Sequence, residues 1–175
     1  MGGIRFEDNG DVTIITGTLD YGQGHAVAFA QVLHSFLGIP FERIKLLQGD
    51  SDELITGGGT GGSKSIMASG GAIIEAATEV IKKAKTVAAY FFETSEEDIE
   101  FKNGNLTVAG TDKSVSLLDL SSELKTNFTK PDGIPDTLDV KLDHGGVPSA
   151  FPNGCHICEV EIDPDTGAVK IDRYN

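Results

Sequence analysis

Two glycine-rich runs, Tyr21-Gly22-Gln23-Gly24-His25 and Gly57-Gly58-Gly59-Thr60-Gly61-Gly62-Ser63-Lys64-Ser65, each follow a strand-like segment and open a helix-like one. Such a loop leaves successive backbone N–H groups unpaired at a helix N-terminus, where the macrodipole also favours negative charge. Both runs are therefore natural seats for phosphate groups. The same residues also suit two tight turns that need glycine for backbone reasons alone.

With 27 acidic and 14 basic residues, the chain carries a net charge of −13. That field repels a nucleic-acid backbone and an anionic membrane surface, so neither is expected as a partner. A phosphate bound here has to be held by backbone amides and hydroxyls in a local pocket. No apolar stretch reaches membrane-spanning length and the N-terminus lacks the regions of a signal peptide, so the expected setting is cytoplasmic. The 175 residues suffice for one globular domain spanning 1–175, or for a large piece of a bigger one.

Asp8-Asn9-Gly10 separates Ile4–Glu7 from Val12–Thr18 and predicts a β-hairpin. Val27, Ala30, Leu33, Phe36 and Leu37 mark one face of a helix that Gly38 and Pro40 stop. Ile44–Leu47 reads as a short buried strand. From Ser65 to Phe92, an apolar stripe of Ile66, Ile73, Ala77, Val80, Ile81, Ala84, Val87, Ala88 and Phe91 predicts a long helix, with Glu79 and Lys83 at a supportive spacing. A second hairpin is expected over Ile99–Phe101 and Leu106–Val108, and a short helix over Val115–Leu124 capped by Ser114 or Ser116. Thr126–Pro152 reads as irregular, and His156–Ile162 with Val169–Tyr174 as a third hairpin. The order implies an α+β fold, with two main helices packed on a mixed sheet and β-hairpins beside them.

Neither loop satisfies a standard nucleotide motif. In the second, Gly57 and Gly62 have P-loop spacing, but Ser63 stands where the lysine belongs. In the first, Val27 takes the place of the third Rossmann glycine.

Taken together with their spacing and flanks, the motifs point to a specific family. Gly17-Thr18, Gly22-Gln23-Gly24-His25, Ala30-Gln31, Leu37-Gly38-Ile39-Pro40, Gly49-Asp50-Ser51-Asp52 and Gly59-Thr60-Gly61-Gly62-Ser63-Lys64-Ser65 stand in an order that resembles the molybdopterin-binding domain of the molybdenum hydroxylases. That family includes xanthine dehydrogenase, aldehyde oxidase and the large subunit of aerobic carbon monoxide dehydrogenase. The resemblance continues through Ala88-Ala89, Glu97-Asp98-Ile99-Glu100 and Glu159-Val160-Glu161-Ile162-Asp163 with Thr166-Gly167, covering nearly the whole chain.

The resemblance implies a pterin cofactor whose dithiolene sulfurs hold molybdenum, with its phosphate or dinucleotide tail gripped by loops of a large subunit. No protein side chain then ligates the metal. Gln23 would project its amide toward an oxygen on molybdenum, Gly22 and Gly24 would allow close approach, and Gly62, Ser63, Lys64 and Ser65 would supply N–H groups and hydroxyls to the pterin and its phosphate. Iron-sulfur and FAD centres are expected on other domains or subunits, and the rest of the large subunit and a small-molecule substrate are the other expected partners. Val27 stands where the family often has threonine, and Lys64 where it commonly has arginine, which loses the planar fork but keeps the charge. The family's downstream glutamate base has no counterpart before Asn175, so no catalytic residue is assigned, and the chain is expected to lack turnover alone.

Other residues carry weaker signals. Cys155-His156-Ile157-Cys158 lies in a strand-like segment, where residues three apart point to opposite faces and cannot share a metal. His25 suits either a cofactor contact or local packing, and His34 a helix surface, while His144 takes no assignment. Asp50 and Asp52 read as solvated loop carboxylates. Two rival readings remain: a noncatalytic module for a phosphate-bearing ligand, and a structural piece whose Thr126–Pro152 segment docks on a neighbouring chain.

Overall fold

A computed structural model describes residues 1–126 and 132–175. Strands β1 (Gly2–Phe6) and β2 (Val12–Thr16) form the first hairpin, with Gly10 in the left-handed region at φ 82° closing the turn. Ile4, Phe6, Val12 and Ile14 are buried, and β3 (Ile44–Gln48) adds to β2 in parallel with Val12 beside Ile44 and Thr16 beside Gln48. A parallel neighbour requires a crossover, which helix α1 (His25–Leu37) supplies. β7 (Val140–Leu142) pairs antiparallel with β1, giving a mixed sheet in the order β3-β2-β1-β7. The segment expected to be irregular from 126 to 152 thus supplies an edge strand. Residues 127–131 of it lie outside the described residues.

α1 buries Phe29, Ala30, Leu33 and Leu37, whereas Val27 and Phe36 are exposed. At about 100° per residue, Val27 sits some 120° round the helix from Leu33 and leaves the stripe, while Phe36 falls on its flank. Gly38 ends the helix in a left-handed conformation, its N–H donating to the His34 carbonyl.

Helix α2 (Gly71–Phe92) follows one turn of π-helix, Ile66–Gly70. The wider turn rotates earlier positions off the α-helical stripe, so Ile66 is exposed although Ile73 is buried. Phe91, at the far end, is exposed as well. Ala72, Ala76, Ala77, Ala84, Ala88 and Ala89 are buried, and these short side chains let the sheet approach closely. A Cβ at Gly2 would stand 2.7 Å from Ala72. The expected Glu79–Lys83 pair does not form. The Lys83 ammonium donates to the Asp139 carbonyl at 2.6 Å beside β7, and Glu79 lies 3.9 Å from Lys82 instead.

Beyond α2, β4 (Ile99–Lys102), β5 (Asn105–Val108) and β6 (Ser114–Ser116) form a three-stranded sheet. Helix α3 (Leu117–Thr126) packs Leu117, Leu120 and Leu124 inward. Its start is set by Ser116, whose hydroxyl accepts the Asp119 N–H at 3.0 Å and donates to the Asp119 carboxylate at 2.6 Å. Finally β8 (Cys158–Ile162) and β9 (Val169–Tyr174) pair with each other, and every residue from 151 to 175 is exposed. The architecture is α+β, as the sequence implies.

Candidate functional site

Because β2 and β3 run parallel, both reach the same edge of the sheet with their C-terminal ends. β2 leads there into the first glycine loop, and β3 leads through 49–56 into the second. The Gly17 carbonyl accepts N–H groups from Gly58 and Gly59, each at 3.1 Å. No side chain fits at Gly17, since a Cβ there would lie 2.5 Å from the Thr56 carbonyl oxygen and 2.9 Å from Gly57 Cα. Farther along, the Leu19 N–H donates to the Thr60 hydroxyl at 3.1 Å. The two loops are joined backbone to backbone.

Their junction opens into a cleft of about 560 Å³, lined by Gly17, Thr18, Gly57 to Gly62, Lys64, Ser65, Ser69 and His144, among others. The long π-then-α helix starts at this wall, and its opening N–H groups, at Ser65, Ile66 and Met67, have no hydrogen-bond partner among the described residues. Helix starts of this kind hold anions through those amides and the macrodipole. The far wall comes from the segment after β7. Asp143 accepts the Thr56 hydroxyl at 2.9 Å and lies 3.5 Å from the Met1 amino group. The Thr56 hydroxyl first, and the amino group second, hold its carboxyl below the usual range. His144 Nδ1 lies 2.7 Å from the Glu75 carboxylate of α2, and the Ala150 N–H donates to the Ser63 carbonyl at 2.9 Å.

Of the sequence-predicted binding residues, Gly62, Lys64 and Ser65 line this cleft. Ser63 sits beside it in a left-handed turn at φ 52°. Gly22, Gln23 and Gly24 are exposed on the first loop and are not among the lining residues. Their amides are not all available. Asp20 Oδ1 accepts the N–H groups of Gly22 at 2.8 Å and Gln23 at 2.7 Å, and Oδ2 accepts that of His25 at 2.8 Å. The loop expected to bind an external anion already holds an internal one. The Gly22 N–H, with those of His25 and Gln23, lowers the Asp20 pKa from its ordinary value. Gln23 Oε1 accepts the Tyr21 N–H, so its Nε2 is the part of that amide without a partner among the described residues.

A chain of polar groups runs from the floor of the cleft into the body, with Thr16, Thr18, His25 and Ser69 buried and Gln48 half-buried. Gln48 Nε2 donates to Thr18 Oγ1 at 2.7 Å and Thr16 Oγ1 at 2.9 Å, and lies 3.3 Å from His25 Nδ1. Ser69 donates to Thr18 at 3.3 Å. This network ties the end of β2, the end of β3, the start of α1 and the π-turn into one rigid base. His25 is buried and stacks on Phe29 with ring centroids 4.9 Å apart. Sequence reasoning missed Asp20, Gln48, Ser69 and the Glu75–His144 pair. An aspartate just ahead of a glycine loop that opens a helix was a readable signal for the first. The others meet only through tertiary packing.

The remaining candidates sit elsewhere. Cys155 and Cys158 are free and exposed, and no cluster of metal-ligating residues occurs among the described residues. His34 Nδ1 lies 2.7 Å from the Ile39 carbonyl at the end of α1. Asp50 accepts the Asp52 N–H at 3.0 Å and closes a turn. Among the described residues no helix is long and apolar enough to cross a membrane.

Residues 2–175 match the family model of the molybdopterin cofactor-binding domain. The chain is similar to the nicotine 6-hydroxylase large subunit of Paenarthrobacter nicotinovorans, with 37% identity over 97% of this chain and 21% of that protein. It is also similar to the carbon monoxide dehydrogenase large chain of Hydrogenophaga pseudoflava, with 32% identity over 98% of this chain and 21% of that one. Among solved structures, reconstituted CO dehydrogenase from Oligotropha carboxidovorans superposes with a TM-score of 0.79 at 30% identity, covering 99% of this chain and 21% of that chain. Quinoline 2-oxidoreductase from Pseudomonas putida 86 gives a TM-score of 0.72 at 28% identity, covering 99% of this chain and 22% of that one. This chain spans about a fifth of the length of these relatives.

Proposed function

Since the chain belongs to the molybdopterin cofactor-binding domain family, we propose that its glycine-lined cleft holds the anionic end of a molybdenum-carrying pterin within an oxidoreductase large subunit. The observation that carries this reading is the joining of Gly17 to Gly58 and Gly59, which turns two loops distant in sequence into one wall beside a helix start. The chemistry of the wall suits the group. Backbone N–H donors, the Ser65 hydroxyl and the Lys64 ammonium can together hold phosphate oxygens despite the acidic field.

In this proposal Gly62, Ser63, Lys64 and Ser65 grip the phosphate, and glycine at 57 to 59 lets the backbone come near. Gly22 and Gly24 keep the first loop slim, and Gln23 offers its Nε2 to an acceptor on the ligand. When bound, the pterin supplies redox chemistry at molybdenum. This chain's own part is to bind and orient it, and the general base lies elsewhere in the large subunit. The whole enzyme would hydroxylate a carbon centre or oxidise carbon monoxide, in the wider group that includes xanthine dehydrogenase and aldehyde oxidase. Electrons would leave through iron-sulfur and flavin partners, in a cytoplasmic setting.

The test is molybdenum and pterin content of the large subunit carrying this domain, purified from its native host. Stoichiometric molybdenum is expected, falling when Lys64→Glu or Gly62→Val is introduced. A fully folded, active subunit devoid of metal and pterin would sink the reading.

A further inference from the structure

We propose that His144, held by Glu75, is a binding residue for the anionic end of the cleft's ligand and engages it as an imidazolium. The inference rests on the cofactor-binding reading and adds to it a group that the sequence does not single out.

Three observations converge on His144. Its Nδ1 lies 2.7 Å from Glu75 Oε2, so a carboxylate of α2 fixes the ring. The ring also lies flat on Gly71, because a Cβ there would meet Nε2 at 3.1 Å and both Cδ2 and Cε1 at 3.6 Å. Any side chain at 71 would push the imidazole out of place. Finally, His144 lines the cleft together with Gly62, Lys64 and Ser65, and its Nε2 has no hydrogen-bond partner among the described residues.

With Nδ1 turned to the Glu75 carboxylate, Nε2 donates to an oxyanion when both ring nitrogens carry protons, and that bond is then charge-assisted. The cleft needs such a donor. Lys64 and Met1 line it with His144, the Met1 amino group paired with Asp143, which also holds the Thr56 hydroxyl, while Glu75 on α2 stands against His144 outside the lining. A dianion entering beside Lys64 gains from a further cation, the Met1 amino group being already paired with Asp143, and His144 can become one by taking up a proton. Anion binding should therefore be linked to proton uptake and tighten as pH falls.

Sulfate is the probe, because it stays a dianion across about pH 5 to 8, where an imidazole changes charge. The full chain is titrated with sulfate while the amides of Gly62, Lys64 and Ser65 and the ring nitrogens of His144 are followed by NMR. Sulfate is expected to move both sets, with affinity falling as pH rises. His144→Gln should weaken binding about tenfold at the acid end and flatten the pH dependence. Glu75→Gln, which leaves the cleft lining intact but removes the carboxylate that fixes the ring, should also weaken binding at the acid end. If the loop amides respond with an affinity and pH profile that His144→Gln leaves unchanged, the role of His144 is overturned while the cofactor reading stands. If sulfate moves no loop amide at any pH, both fall together.

Discussion

The carbonyl oxygen of Gly17 accepts the Gly58 N–H at 3.1 Å, binding the end of β2 to a loop forty-one residues downstream. There is no room between them, since the nearest atoms to a Cβ at Gly17 belong to the backbone of Thr56 and Gly57. Gly17→Ala should therefore force the loops apart and destabilise the chain by about 1–3 kcal/mol, in the range of overpacked sites. Gly61→Ala is the control, because a Cβ there meets nothing within 4 Å and its backbone is not left-handed. It should stay within about 0.5 kcal/mol of the parent. Urea denaturation of both variants checks the pair of expectations.

Acid should loosen the first glycine loop and, separately, the ion pairs around Arg5. Asp20 is held below its ordinary pKa by the N–H of Gly22, then those of His25 and Gln23. Glu53 is held down by Lys141 and then Arg5, and Glu7 by the Thr13 hydroxyl and then Arg5. For each, the folded pKa lies below the unfolded one, so the unfolded chain binds more protons on acidification. The stability they contribute is whole above the usual carboxylate range and is lost as pH falls through it toward the depressed folded values. Asp20→Asn should remove part of that acid sensitivity and raise hydrogen exchange at Gly22, Gln23 and His25. Equilibrium unfolding at a series of acidic pH values, with amide exchange on the same samples, measures both effects.

Local signals were enough for much of this fold. Asp8-Asn9-Gly10 announced its turn, Gly38 its helix end, and the alternation around Asn103-Gly104 its hairpin, because each of these outcomes is decided by neighbours in sequence. Ile66 was misread because one π-turn changes the period within an otherwise regular stripe. β7 was missed because three residues carry too little pattern, and its place depends on pairing with β1. The site divides in the same way. Lys64 and Ser65 were legible as part of a glycine loop at a helix start. Gln48, Ser69 and the pairing of His144 with Glu75 exist only once β2, β3, α2 and the segment after β7 are brought together.

The start of α3 gives a sharp comparison between two serines. Ser116 both accepts the Asp119 N–H and donates to its carboxylate, whereas Ser114 reaches the Thr107 hydroxyl and the Leu106 carbonyl within the small sheet. Ser116→Ala should cost about 1 kcal/mol, typical of a lost helix cap. Ser114→Ala should cost less, because its partners at the sheet surface can turn to water. Thermal unfolding of the two variants side by side ranks them.

The β8–β9 hairpin carries Val160 and Ile162 opposite Ile171 and Val169, all at least half exposed. A side chain that buries little apolar surface contributes little to folding, whatever its hydrophobicity. Ile171→Lys should therefore change the urea stability of the body by no more than about 0.5 kcal/mol. The same variant should reduce concentration-dependent association and binding of an apolar dye, since it breaks a contiguous apolar face. Light scattering and dye fluorescence read the second effect, and urea unfolding reads the first. Loss of cooperative unfolding in Ile171→Lys would show that this face packs against the body, contrary to its exposure here.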